Sequence, residues 1–201
     1  MCDVTIPAQT LAAAATDPAA AAWTRIGHEA GADLLPWLAR TCASFAIHDR
    51  ETALALAGFT AVDASDEDRA TYAGAIAALR ELAVQGLPVA STDAIFVYLQ
   101  QAILGFDGDD LWGHEPDHVN DGEVDVECPA CDEGHLLDLT SDHSDIEPGL
   151  TSDLAVRLHT EAVQAGRHEV AATFTRLFGR FTCPECGVKS EVTASLAGVS
   201  A

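Results

Sequence analysis

Lysine is almost absent from this 201-residue chain. Lys189 is the only one, and lysine and arginine together number 10 against 32 aspartates and glutamates, a formal net charge of -22. A surface of that sign repels phosphate backbones and anionic lipid headgroups, so recognition of nucleic acid through a basic face is disfavoured. The acidity reads as a solubility adaptation of a GC-rich or salt-adapted organism, with nucleic-acid mimicry as the alternative. Long apolar runs are missing too: none reaches the roughly 18 residues that a membrane span needs. The start, MCDVTIPAQTLAAAATDPAAAAW, carries aspartate where a secretory leader carries lysine or arginine, so a cytoplasmic protein is expected. Aromatics make up only 6% of the residues. Apolar residues reach 48% with alanine supplying much of that share, which excludes disorder throughout and suggests closely packed helices. No G-x-S-x-G, no phosphate-binding glycine loop and no dinucleotide fingerprint is present, which removes the commonest enzyme signatures.

The length suits one helical domain with a small appended module. From about Ala8 to Leu104 the pattern predicts helices joined by short polar turns. DLLPWLARTCASF is expected to start a helix with Asp33 as N-cap and Pro36 in the first turn. RETALALAGF predicts a second helix ending near Gly58. SDEDRATYAGAIAALRELAVQG has acids in its first turn and places Tyr72, Ala75, Ile76, Leu79, Leu82 and Ala83 on one face, stopping at Gly86 and Pro88. A further helix, capped by Ser91 or Thr92, turns Ile95, Phe96, Leu99, Ile103 and Leu104 inward. Short connections favour antiparallel neighbours, so the expected fold is a mainly α bundle of helical hairpins over residues 1–105.

After Leu104 the composition changes. No lysine or arginine lies between Arg80 and Arg157, and two acidic stretches flank the first of two cysteine pairs. Strands are expected at Glu123 to Glu127 and His135 to Leu139, helices in TSDLAVRLHTEAVQAG and HEVAATFTRLF, and a hairpin in GRFTCPECGVKSEVTASL. The second region, 106–201, therefore reads as strand, cysteine turn, strand, helices, strand, cysteine turn, strand, with the helices inserted over 151–178.

ECPACDEG and TCPECG repeat a C-P-x-C spacing, at Cys128 and Cys131 and at Cys183 and Cys186. In a reducing compartment such pairs are metal ligands before they are disulfides. Four thiolates suit one structural Zn2+, held tetrahedrally with no open position. An ordinary ribbon spaces its pairs by roughly 15 to 20 residues. Here 51 residues separate Cys131 from Cys183, which requires a helical insertion; loop-closure cost grows slowly enough with length to allow it. The alternatives are Fe on the same four sulfurs, as a one-electron carrier, or independent redox pairs. A transcription-type zinc ribbon needs a basic patch, and near the turns only Arg176, Arg180 and Lys189 are available.

Other motifs are weaker. HEPDH, His114 to His118, matches H-E-x-x-H in letters, but Pro116 disrupts the helix that would put both histidines on one face. His135 and His143 are candidate ligands of a second metal, against a surface role. DGDD lacks the twelve-residue calcium-loop pattern. Cys42, on an apolar helix, reads as a small core residue, and Cys2 has no partner in sequence.

The run AIFVYLQQAILGFDGDDLWGHEPDHVNDGEVDVECPACDEGHLLDL, with the later FGRFTCPECG, resembles a group of uncharacterised actinobacterial proteins. The resemblance rests on Trp112, Gly113, Asp121, Gly122, Glu123, Cys128, Pro129, Cys131, Cys183, Pro184 and Cys186, and covers the C-terminal half with the helix before it. It implies a HEAT-like helical region followed by a pair of C-P-x-C zinc knuckles, and no particular activity. The resulting expectation is a non-enzymatic zinc-binding scaffold with a basic protein partner and neither nucleic acid nor membrane as target; the redox or iron protein remains the alternative.

Overall fold

A computed structural model describes residues 31–114, 116, 118–141 and 145–196. The helical reading of Ala8 to Ala30, together with Cys2 and His143, lies outside these residues. The described chain is mainly helical, with eight α-helices and a few short antiparallel strands. Its contacts divide it into two compact units, Met1–Pro116 and Asp117–Ala201. No helix among the described residues is long and apolar enough to cross a membrane.

The first unit contains α1 (Leu35–Thr41), α2 (Ile47–Val62), α3 (Asp66–Thr71), α4 (Ala73–Gly86) and α5 (Asp93–Asp107). Helix α5 is central: ten of its residues, from Phe96 to Phe106, are buried, and it packs against both α2 and α4. Thr92 is its N-cap, its Oγ1 accepting the Ile95 N–H at 3.1 Å. The neighbouring Ser91 is engaged elsewhere, donating from N and Oγ to the buried Glu51 carboxylate at 2.8 and 2.6 Å. At the other end Gly108 adopts a left-handed φ of 83° and returns its N–H to the helix, a conformation that costs glycine nothing.

Three helix boundaries differ from the sequence expectation. Asp33 does not cap α1; it lies inside a 3-10 turn, Ala32–Leu34, that leads directly into the helix. Helix α2 runs through Gly58 to Val62. Gly58 is a contact point: a Cβ there would come within 2.5 Å of the Ala102 Cβ, and one on Gly105 within 2.8 Å of the Gly58 carbonyl. The absence of those atoms is what lets α2 and α5 cross so closely. The long helix expected over 65–86 is divided at Tyr72, whose ψ of 15° ends α3 and whose carbonyl receives the first N–H groups of α4. Ile76, Leu79 and Ala83 of the expected face are buried. With this break, Arg69 reaches the carbonyls of Ala61, Gly105 and Phe106 at the C-terminal ends of α2 and α5.

The second unit contains α6 (His118–Asp121), β1 (Glu123–Glu127), β2 (Gly134–Asp138), β3 (Ile146–Glu147), α7 (Asp153–Gln164), α8 (His168–Leu177), β4 (Arg180–Thr182) and β5 (Lys189–Glu191). Strands β1 and β2 form one antiparallel hairpin; β3, β4 and β5 form a second antiparallel sheet in that order. Alternation along β1 buries Val124 and Val126 and exposes Glu123, Asp125 and Glu127. Helices α7 and α8 pack as a pair, with Ser152 capping α7 through the Ala155 N–H at 3.1 Å. Leu158, Phe174, Leu177, Phe178 and Phe181 are almost wholly buried and, with the β1 valines, form the core of this unit.

Candidate metal centre

Each hairpin carries a C-P-x-C turn, and the two turns are near copies in backbone geometry. In the first, the Cys128 N–H donates to the Glu133 carbonyl and the Asp132 N–H returns to the Cys128 carbonyl, both at 2.9 Å. In the second, Cys183 and Val188, then Gly187 and Cys183, repeat the pattern at the same distance. The residue after the second cysteine must turn left-handed: φ is 58° at Asp132 and 74° at Gly187. Aspartate is among the few side chains that tolerate this region, which is why the first turn manages without the glycine of the second.

This geometry brings all four sequence-predicted cysteines together. The Cys128 and Cys186 sulfurs are 3.6 Å apart, those of Cys131 and Cys183 3.7 Å, and all four Sγ atoms lie within 4.8 Å of one another. A disulfide would hold its sulfurs about 2.05 Å apart, so these are free thiols. Four sulfurs each about 2.3 Å from one zinc ion stand about 3.8 Å apart at the corners of a tetrahedron. The donor set and its spacing therefore fit a tetrathiolate metal site. Cys128 and Cys183 are buried, Cys131 is half-buried and Cys186 is exposed.

Electrostatics within the cluster divide the sulfurs by position. At Cys128 the Ala130 N–H outweighs the cost of burial and, with neighbouring thiols, brings the thiol down to about 7. Burial opposes ionisation of Cys183, yet the Cys186 and Glu185 N–H groups and the His135 ring hold it below the usual thiol range. The second cysteine of each turn behaves oppositely. The Glu133 N–H lowers Cys131 and the Val188 N–H lowers Cys186, but burial and adjacent sulfurs prevail, pushing Cys131 up to about 12 and Cys186 upward. Four thiolates this close repel one another, and a dication held among them would supply the counter-charge.

The remaining candidates are engaged in other contacts. The H-E-x-x-H letters do not share a helix: His114 lies in the turns after α5, while His118 begins α6. The His114 carbonyl accepts Gln101 Nε2 at 2.8 Å, and its ring stands 3.5 Å from Asp63. Two of the three aspartates of DGDD have structural tasks: Asp107 pairs with Arg80 at 2.6 Å, and Asp109 accepts the Trp112 N–H at 2.8 Å. Cys42 is fully buried, as expected of a core residue. Of the cations near the turns, Lys189 pairs with Glu147 and Arg180 with Glu191, while Arg176 donates to the Leu139 carbonyl. His135, considered for a second metal, instead places Nε2 3.4 Å from the Cys183 sulfur. The sequence signal for that contact was a histidine on the inward face of a strand leaving the first turn.

No protein-family model, no curated protein and no solved structure matches the chain.

Proposed function

We propose that the chain is a non-enzymatic zinc-binding scaffold: HEAT-like helical hairpins followed by a zinc-ribbon-like module, in which Cys128, Cys131, Cys183 and Cys186 hold one structural Zn2+. The observation that carries the metal reading is the approach of four free sulfurs to tetrahedral spacing from turns 51 residues apart in sequence. Zinc bound there supplies a cross-link between the two hairpins. The chain's own part is to aim the sulfurs through two left-handed turns and to direct backbone N–H groups at them. Four protein ligands leave no position for a reacting water, which favours a structural over a catalytic role. In this reading the protein is cytoplasmic and docks a basic protein partner, since a net charge of -22 steers cations and repels nucleic acid.

The test is elemental mass spectrometry of protein purified without added metal, beside Cys186→Ser. One zinc per chain is expected, lost in the variant together with hydrogen-exchange protection over residues 117–201. Iron, or metal-free protein with four titratable thiols, overturns the zinc reading and leaves electron transfer or thiol redox chemistry. For the partner, a pull-down whose contacts all vanish with moderate salt contradicts specific docking.

A further inference from the structure

We propose that His135 is a positioning residue of the metal site, donating its Nε2–H to the Cys183 sulfur; this rests on the reading of the four cysteines as ligands. The two turns direct equivalent backbone N–H groups at their sulfurs, and His135 breaks that equivalence. Its Nε2 is 3.4 Å from Cys183 Sγ. A thiolate accepts hydrogen bonds and cannot donate them, so this contact requires the tautomer with hydrogen on Nε2. The ring is held there by the fold. His135 pairs with the buried Val126 across the β1–β2 ladder, and its ring centroid lies 6.4 Å from that of Phe181, a fully buried residue two positions before Cys183. An apolar side chain is the default at such an inward strand position, so a histidine aimed at a sulfur departs from the local rule in the way functional positions do.

The chemistry gives the contact a purpose. Four thiolates around a dication carry a net charge of about -2, and the nearby cations Lys189 and Arg180 are ion-paired at 3.1 and 3.8 Å with carboxylates of their own sheet. An N–H donated to Cys183 draws off some of that charge without adding an ion, and fixes the side chain of one buried ligand. Partners of this kind typically account for 10 to 100-fold in metal affinity. A half-buried ring and a soft acceptor place His135 near the lower bound, about tenfold.

The test uses the full chain as wild type, His135→Gln, which retains an N–H donor, and His135→Leu, which does not. Zinc transfer to a chromophoric chelator should become about tenfold more favourable in His135→Leu, with partial recovery in His135→Gln. The thiolate-to-cobalt charge-transfer band of Co2+-loaded protein should keep the same intensity in all three. Long-range 15N–1H spectra of zinc-loaded wild type should show His135 protonated on Nε2, a readout independent of whether the leucine variant folds. Unchanged zinc transfer in His135→Leu, or an Nδ1–H tautomer, overturns the proposal. A wild-type cobalt spectrum of only three thiolates overturns it too, by making His135 a ligand. Wild type that takes up neither metal places the failure in the reading of the cysteines themselves.

Discussion

Arg69 closes the ends of two helices with one side chain. Its guanidinium donates to Ala61 at the end of α2 and to Gly105 and Phe106 at the end of α5, in last turns where carbonyls outnumber intrahelical donors; Gly105 also accepts the Gly108 N–H at 3.1 Å. A fixed cation at two helix C-termini also complements their dipoles. In a chain with so few cations, this one is committed to the fold. Replacing Arg69 with alanine should destabilise the first unit by about 2 kcal/mol, since hydrogen bonds to charged groups are worth more than neutral ones and three carbonyls lose a donor. Urea denaturation followed by circular dichroism measures it; a midpoint within error of wild type would show that water substitutes freely at those carbonyls. Cys42 is the complementary case of a buried group without a charge. Burial pushes its thiol up to about 12 although Arg50 pulls the other way, so it stays neutral across the physiological range. Alkylation of native protein near pH 8 should spare Cys42. Peptide mapping that finds it modified as fast as in denatured protein would contradict its placement in the core.

At the scale of elements, the crossing of α2 and α5 depends on what its glycines lack. Gly58 meets Ala102, and Gly105 meets Val62 and the Gly58 carbonyl, so neither site has room for a methyl group. Gly58→Ala should therefore cost about 2 to 3 kcal/mol from overpacking, more than the roughly 1 kcal/mol that alanine gains over glycine in a helix. Gly74 is the control. It lies in α4, and a Cβ built there meets nothing within 4 Å, so Gly74→Ala should stabilise by about 0.5 kcal/mol. Thermal unfolding of the two variants should move the midpoint in opposite directions. If both shift the same way, propensity and not the helix crossing governs these positions.

Over the whole molecule, an excess of carboxylates opposes compaction. Raising sodium chloride from about 0.1 to about 1 M shortens the screening length from about 10 to about 3 Å. If self-repulsion limits stability, the melting temperature should rise by several degrees over that range. A flat or falling profile would assign the acidity to surface hydration or to a partner.

Helices α4 and α5, the alternation of β1 and the C-P-x-C turns were all legible in the chain, because each is set by contacts within a few residues. Ile76, Leu79 and Ala83 recur at helical spacing, Val124 and Val126 at strand spacing, and Pro with a left-handed residue shapes each turn. Four matching cysteines in a cation-poor chain also pointed to a metal by chemistry alone. What local pattern could not supply were events set by residues distant in sequence. Gly58 reads as a stop signal until Ala102, 44 positions on, explains it as a close approach. The break at Tyr72 follows no visible signal in the segment, and its companion is Arg69 reaching carbonyls of two other helices. His135 gains its meaning from Cys183, brought to 3.4 Å across 48 positions of chain. Periodicity and turn chemistry are short-ranged and survive in one dimension; steric exclusion at a helix crossing and the meeting of donors with a sulfur exist only once the chain has closed on itself.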